Sequence, residues 1–346
     1  MATIADVANR AGVSTMTVSR VVNRSGYISR ETRERVEKAI IELGYVPNAL
    51  ARSLRVKQTR TIALVLTDIS NPFFTTIARG AEDVASQRGF SVMLCNSDES
   101  EAKEIEYLNI LLQKQVDGVL LVPARGSKES LLVLQSHGVP VVVVDRLIGD
   151  ADVDMVRADT ELGAYELTRH LLDLGHRRIA ALTGPRGVST AMDRVAGFQR
   201  AMSEAGLPGG EQSILFGDFT QASGYLMAQE ALAGPSAPSA IFAANNFIAI
   251  GAFRAVRKAG LRVPGDVSLA AMDDEPPALA DPFLTVASQP AYEMGRTAAD
   301  LLLSRLSGEA PIEPREIVLP TGLIVRGSTA SPRRGGARRD GRTARA

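Results

Sequence analysis

Residues 3–23, "TIADVANRAGVSTMTVSRVVN", decide the fold of the N-terminal part of the chain. Thr3 followed three residues later by Asp6 has the form of a capping box. Ile4, Val7, Ala8 and Ala11 then recur at helical spacing, and Gly12 ends that helix and allows a tight turn. Ser14 is a good cap for a second helix, in which Val18, Val21 and Val22 face one way while Thr15, Met16, Ser19, Arg20 and Asn23 face others. Two short helices joined by a glycine turn predict a helix-turn-helix. A third helix is expected over 29–43, with Val36, Ala39, Ile40 and Leu43 inward and Gly44 as its stop.

A helix in the second position presents its first turns to base edges in the major groove. Thr15, Met16 and Arg20 are the expected base contacts, because Arg pairs bidentately with guanine and the methyls of Thr or Met touch thymine. Ser14, Thr17, Ser19 and Asn23 are short polar groups suited to phosphate oxygens. Charge supports this reading. The chain of 346 residues has 39 basic and 39 acidic side chains. Residues 1–60 hold 11 Lys/Arg against 5 Asp/Glu and residues 331–346 hold 6 Arg against 1 Asp, so the middle carries −11. A basic head on an acidic body points to a polyanionic partner, or to nothing more than a solvated basic surface.

Residues 51–60, "ARSLRVKQTR", set four cations around one large apolar residue, Leu54. Pro47 breaks the chain and Asn48 can cap a helix over 49–56. A helix of two turns is not stable alone in water, so it should fold on meeting a partner. An apolar wedge beside arginines is the device minor-groove binders use to kink DNA. The alternative is that Leu54 packs on its own subunit. As a wedge it requires two copies side by side, hence a homodimer on a near-palindromic double-stranded site.

From Thr61 the pattern changes to short apolar runs: "TIALVLTD", "FSVMLCNSD", "VDGVLLVPA", "PVVVVD", "RRIAALTG", "SAIFAANN" and "VSLAAMDD". Helical periodicity separates them, as over 74–88, 101–115 and 161–174. Continuous apolar strands alternating with helices mean parallel sheets covered on both faces. Four strands, a break near 150–160 and then further strands predict two α/β lobes. Ligands bind at the carboxyl ends of such strands, where Asp68, Asp145, Asn245 and Asp273 stand.

Enzymatic signatures are missing from the sequence. It contains no dinucleotide fingerprint, phosphate loop or Gly-x-Ser-x-Gly elbow, and His137, His170 and His176 are not at metal-ligand spacing. No catalytic residue, metal or cofactor is expected. Cys95, the single cysteine, fits a reducing cytoplasm, and no apolar stretch approaches about 20 residues, which argues against a membrane span.

The first stretch, together with "YVPNALARSLR" at 45–55, resembles the lactose-repressor (LacI/GalR) family of bacterial transcription regulators, and the likeness spans almost the whole chain. It implies an all-α helix-turn-helix headpiece followed by a periplasmic-binding-protein-like α/β body of two lobes with parallel sheets. It also implies that hinge helices of two subunits pair, with Leu54 entering the minor groove and Asn48, Ala51, Arg52 and Arg55 in the hinge. The body is similar to ribose-type sugar-binding proteins. Asn71, Phe73, Phe74, Asp145, Arg146, Arg194, Phe219, Asn245, Asp273 and Gln289 fall where that fold gathers ligand contacts. Carboxylates and arginines suit hydroxyl pairs, and Phe73 or Phe74 with Phe219 can wall a small ring. Plainer readings stay open: Phe74 as core, Asp145 as a cap or bridge, Arg194 as a surface ion pair with Asp193.

The sequence departs from the family at Asn245-Asn246, where Asn-Asp is usual. It departs again at Val188, where purine-binding members carry a polar cationic group. The second departure favours a compact sugar, a pentose such as ribose first, over a purine. The expected division is 1–46 for DNA binding, 47–59 for the hinge, 60–158 plus 291–319 for the first lobe and 159–290 plus 320–330 for the second. Residues 331–346 read as a basic disordered tail without the leucine heptads of a tetramer. The expected function is a regulator, normally a repressor, whose effector turns the lobes about crossovers near 60, 160 and 290. The alternatives are a cytoplasmic sugar-binding or sugar-processing protein, a regulator with a purine effector, and an architectural DNA-binding protein with no effector.

Overall fold

The structure is a computed structural model that describes residues 2–23, 25–46, 58–126, 128–149, 151–208, 213–234, 236–273, 282–311 and 313–333. Asn48, Ala51, Arg52, Leu54 and Arg55 lie outside the described residues, as does the tail from 334 onward. The chain divides into two compact units, Met1–Thr59 and Arg60–Ala346.

In the first unit, α1 (Ile4–Ala11) starts with the expected capping box and ends at Gly12 in the left-handed region, with φ 63°. Helix α2 (Thr15–Val22) is capped by Ser14 and α3 (Arg30–Leu43) by Ser29, and α3 stops at Gly44 with φ 57°. Their buried faces meet through Val7, Ala8, Ala11, Val18, Val21, Val36 and Ala39. Val22, Ile40 and Leu43, expected to face inward, are only partly buried at the edge of this core.

The second unit holds two six-stranded sheets. The first lobe contains β1 (Thr61–Leu66), α4 (Pro72–Gln87), β2 (Ser91–Asn96), α5 (Glu101–Gln113), β3 (Gly118–Leu121), α6 (Glu129–Ser136), β4 (Val141–Val144) and β5 (Asp154–Ala158). The second contains α7 (Thr160–Asp173), β6 (Ile179–Thr183), α8 (Ser189–Glu204), β7 (Ile214–Phe216), α9 (Gln221–Ala233), β8 (Ala240–Ala243), α10 (Asn246–Lys258), β9 (Ser268–Met272) and β10 (Thr285–Ser288). The chain returns to the first lobe as α11 (Ala291–Ser307) and β11 (Glu316–Leu319), then crosses again to end in β12 (Gly322–Ile324). Sheet orders are β11-β5-β4-β3-β1-β2 and β12-β10-β9-β8-β6-β7. All pairings are parallel except β10 with β12.

The continuous apolar strands have the physical cause the sequence suggested. In β1, Ile62, Leu64 and Leu66 pack with α4 and α11 on one face, and Ala63 and Val65 pack with α5 and α6 on the other. Helices α4 and α11 approach closely at glycines. A Cβ on Gly80 would lie 2.1 Å from the Tyr292 carbonyl oxygen, and one on Gly295 would lie 2.0 Å from that of Ile77.

Two expectations need correction. The stretch near 150–160 is not simply a break, because it holds β5, the strand on which β11 pairs. Its alternating polar residues hid it: Asp154 is buried in an ion pair with Arg305, and Arg157 pairs with Glu316 of β11. Residue 60 is not a lobe crossover. Arg60 leads directly into β1, and the third passage between sheets lies at 319–322, beside those at 158–160 and 288–291. Among the described residues no helix is long and apolar enough to cross a membrane.

Replacing Gly80 by alanine should destabilise the body by about 1–3 kcal/mol, despite alanine's better helix propensity, because the added methyl meets backbone that cannot swing aside. Urea unfolding of the variant beside wild type checks this. An unchanged midpoint would mean the helices separate freely.

Candidate functional site

On the headpiece, Thr15, Met16 and Arg20 are exposed on α2, and Met16 is 58% accessible although it is apolar. Val18 and Val21 of the same helix are buried, so the core holds the exposed face in place. Ser14 and Thr17 are joined, with 3.0 Å between hydroxyls, and Ser14 Oγ accepts the Thr17 amide at 3.2 Å. Asn23 Nδ2 donates to the Ser19 carbonyl at 2.7 Å. These four polar groups thus already support the helix ends.

In the body, a cleft of about 470 Å³ opens at the carboxyl ends of the strands of both lobes. That is the size of a small-molecule pocket. Nine of the ten residues singled out from the sequence line it: Asn71, Phe73, Phe74, Asp145, Arg146, Arg194, Phe219, Asn245 and Asp273. The tenth, Gln289, stands behind the wall and donates from Nε2 to Asp273 Oδ1. Asn71 caps α4 and Asn245 caps α10. Phe73 and Phe74 occupy the first turn of α4, edge to face with centroids 5.1 Å apart, and both are at once buried and cleft-lining. Asp145 and Asp273 follow β4 and β9 with φ of 70° and 66°. Non-glycine residues in this region carry strain, which aspartate tolerates better than most.

Arg194 is not the surface ion pair that remained open for it. It is 4% accessible, reaches inward from α8 and donates to the Ala244 carbonyl at 2.5 Å. Arg146 makes a two-pronged pair with Glu99, 2.6 Å on each prong, and also bonds the carbonyls of Pro123 and Ala124. The Phe219 ring lies 5.6 Å from the Arg146 guanidinium and 5.9 Å from that of Arg194. Its slot exists because residue 184 is glycine: a Cβ there would come within 2.2 Å of the ring.

Burial pushes the Asp145 carboxyl up to about 6; Arg146 and Arg194 oppose that shift, and Asp273 and Glu99 add to it. Burial also raises Glu104, which accepts the Ala124 amide at 2.6 Å and the Ser130 hydroxyl, so it braces the loop that Arg146 grips. Asp145 Oδ1, Arg146 Nε, Arg194 Nε and Thr67 Oγ1 are buried without a hydrogen-bond partner among the described residues. Buried polar atoms without partners are costly, and these four belong to residues that line one cleft. A mixed set of donors and acceptors between aromatic walls is the chemistry that receives a ring bearing hydroxyls.

The sequence reading missed Thr67, Asp98, Glu99, Asp218 and Thr220. The strand-end rule that found Asp68 and Asp145 also reaches 97–99 after β2, so Asp98 and Glu99 were findable. Thr67 and Asp218 carried no signal beyond position. Val188 is buried in the cleft wall, as its apolar character required. Among the described residues no group of three His, Cys, Asp or Glu side chains is placed to hold a metal ion.

Asp145 makes a pH prediction with a definite sign. Its folded value, about 6, lies above the ordinary 3.8, so the folded protein holds that proton more tightly. Asp145 therefore weakens the fold as pH rises from about 4 to 6, and the loss persists at neutral pH. In the absence of ligand, Asp145→Asn should raise stability at pH 8 by on the order of 1–3 kcal/mol and by almost nothing at pH 4. Urea midpoints at both pH values read this directly, and a gain that is equal at both would refute the titration.

Comparison with known proteins agrees with this architecture. Residues 59–324 match the family profile described as periplasmic binding proteins and sugar binding domain of LacI family, and residues 3–48 match that of bacterial regulatory proteins, lacI family. The ribose operon repressor of Escherichia coli strain K12 is 38% identical over 330 residues, 95% of this chain and 100% of that protein. A LacI family transcriptional regulator from Enterococcus faecium with bound ribose superposes with a TM-score of 0.70 at 34% identity, over 78% of this chain and 99% of that one. The Lac repressor dimer bound to operator and the anti-inducer ONPF gives a TM-score of 0.83 at 30% identity, over 95% and 99%. A helix-turn-helix ahead of a two-lobed sugar-binding-type body, matched over nearly its full length, makes this chain a member of the LacI family of bacterial regulatory proteins.

Proposed function

We propose that this chain is a cytoplasmic, homodimeric transcriptional repressor without enzymatic activity, and that a small uncharged sugar between the lobes sets its affinity for operator DNA. A pentose such as ribose is the first choice. The observation that carries the reading is the cleft itself, where Asp145, Arg146, Arg194 and Asp273 converge beside Phe73, Phe74 and Phe219. The ribose-bound relative and the ribose operon repressor support the ligand class. Charge supports it independently. Asp68, Asp98, Glu99, Asp145, Asp218 and Asp273 line the cleft against Arg125, Arg146 and Arg194, an acidic excess that disfavours a phosphorylated sugar.

In this reading residues 1–46 bind DNA, 47–59 form the hinge, and two lobes close on the effector. Thr15, Met16 and Arg20 read bases, Ser14, Thr17, Ser19 and Asn23 meet phosphates, and Leu54 wedges the minor groove. Effector binding turns the lobes about their three crossing segments and changes the spacing of paired hinge segments. Coupling between such sites is typically about 1–3 kcal/mol.

Thermal stabilisation against pentoses, hexoses, their phosphates, nucleosides and purines tests the effector class, since a ligand of the folded state raises the midpoint by mass action. A shift from one free pentose, lost in Asp273→Ala, is expected. A shift from a purine alone would reassign the cleft. For the headpiece, Arg20→Ala should weaken operator binding by about 1–3 kcal/mol and relax specificity at one base pair. Equal binding to operator and random DNA by the wild-type protein would refute the regulator reading.

A further inference from the structure

Beside the cleft, the two lobes are joined by a reciprocal pair of side-chain amides. Asn71 Nδ2 donates to Asn246 Oδ1 at 3.2 Å, and Asn246 Nδ2 donates to Asn71 Oδ1 at 3.0 Å. Asn71 belongs to the first lobe and Asn246 to the second, and they are 5% and 1% accessible. Asn246 does not line the cleft, whereas Asn71 does.

Each amide oxygen also accepts a backbone donor at the start of a helix. Asn71 Oδ1 takes the Phe73 amide at 3.1 Å and Asn246 Oδ1 takes the Phe247 amide at 2.8 Å. Both lone pairs of both oxygens are therefore used, and α4 and α10 are joined across the lobe boundary. Further hydrogen bonds tie the segments that precede them. Ile69 donates its amide to Asn96 Oδ1 at 2.8 Å, which ties the 67–71 loop to β2. Ala244 O holds Arg194, and Asn245 Nδ2 donates to the Phe219 carbonyl at 3.4 Å. Asn71 thus caps the helix that carries Phe73 and Phe74, and Asn246 directly follows Ala244 and Asn245, which bond Arg194 and the Phe219 carbonyl.

We propose that Asn246 is a positioning residue for the effector site: paired with Asn71, it clamps the two lobes in the arrangement of this structure, here termed closed, in which both aromatic walls line one cleft. The inference rests on reading the cleft as the effector site. The residue type is what makes the clamp double. A primary amide both donates and accepts, so two of them exchange two hydrogen bonds, whereas a carboxylate at 246 has acceptors only and retains one. A buried, neutral pair also avoids the desolvation penalty of a charge at the lobe boundary. The closed arrangement should accordingly be more populated in this chain than with aspartate at 246, and a ligand that needs closure binds more weakly as that population falls.

The experiment combines hydrogen exchange of the full-length protein without ligand with calorimetric titration of D-ribose, for wild type, Asn246→Asp and Asn246→Ala. In Asn246→Ala, exchange should rise in residues 70–76, which lie in the other lobe, and the ribose Kd should weaken about three- to tenfold. Asn246→Asp, which keeps one bond to Asn71 and the acceptor for the Phe247 amide, should fall between and guards against misfolding of the alanine variant. In an Asn71→Ala background, Asn246→Ala should add little further loss, because the partner is already gone. Unchanged exchange at 70–76 would overturn the clamp, as would losses that simply add in the double variant. If exchange responds but wild type takes no ribose, the clamp stands and the sugar assignment falls.

Discussion

Helices cover both faces of each six-stranded sheet, and this constraint governs the rest of the body. Strands such as β1 and β4 are buried on both sides, so their interiors admit only apolar groups. Polar side chains can gather only where the strands end. The first sheet runs in the order β2-β1-β3-β4, and β1 and β3 are neighbours whose connections leave to opposite faces. A crevice must form there, and the cleft occupies it. The second lobe repeats the arrangement, and the two crevices face each other across the crossing segments.

Placing polar groups in that position carries a stability penalty. Asp145 and Asp273 sit in the left-handed region, Asp145 is pushed up to about 6, and several buried polar atoms are without partners. Each feature opposes folding. The surrounding structure holds these side chains in place against this tendency. Glu99 and two carbonyls fix Arg146, Glu104 braces the loop that supplies those carbonyls, and Gly184 leaves room for Phe219. In the proposed function, the same unsatisfied groups make the lobes responsive, because effector binding recovers free energy that the empty cleft lacks.

The headpiece solves a different problem with little material. Seven small apolar residues form its core, so helix ends matter more than they would in a larger domain. Capping by Thr3, Ser14 and Ser29 and left-handed stops at Gly12 and Gly44 set the helix lengths. Met16 and Arg20 are then presented outward because Val18 and Val21 are committed inward.

The sequence by itself determined the local elements: capped helices with glycine stops, apolar strands with two buried faces, and polar residues at strand ends. Each follows from near-neighbour physics, in which spacing decides which face a side chain takes. The family likeness extended this to nine of the residues lining the cleft. Only the tertiary structure decided which distant groups meet. Local pattern gave no sign that Glu99 would grip Arg146, that Asp154 and Arg157 would be absorbed into strand β5, or that Asn71 and Asn246 would pair 175 residues apart. Those contacts depend on how two lobes close on each other, and periodicity along one segment holds no information about a partner that the fold brings from another.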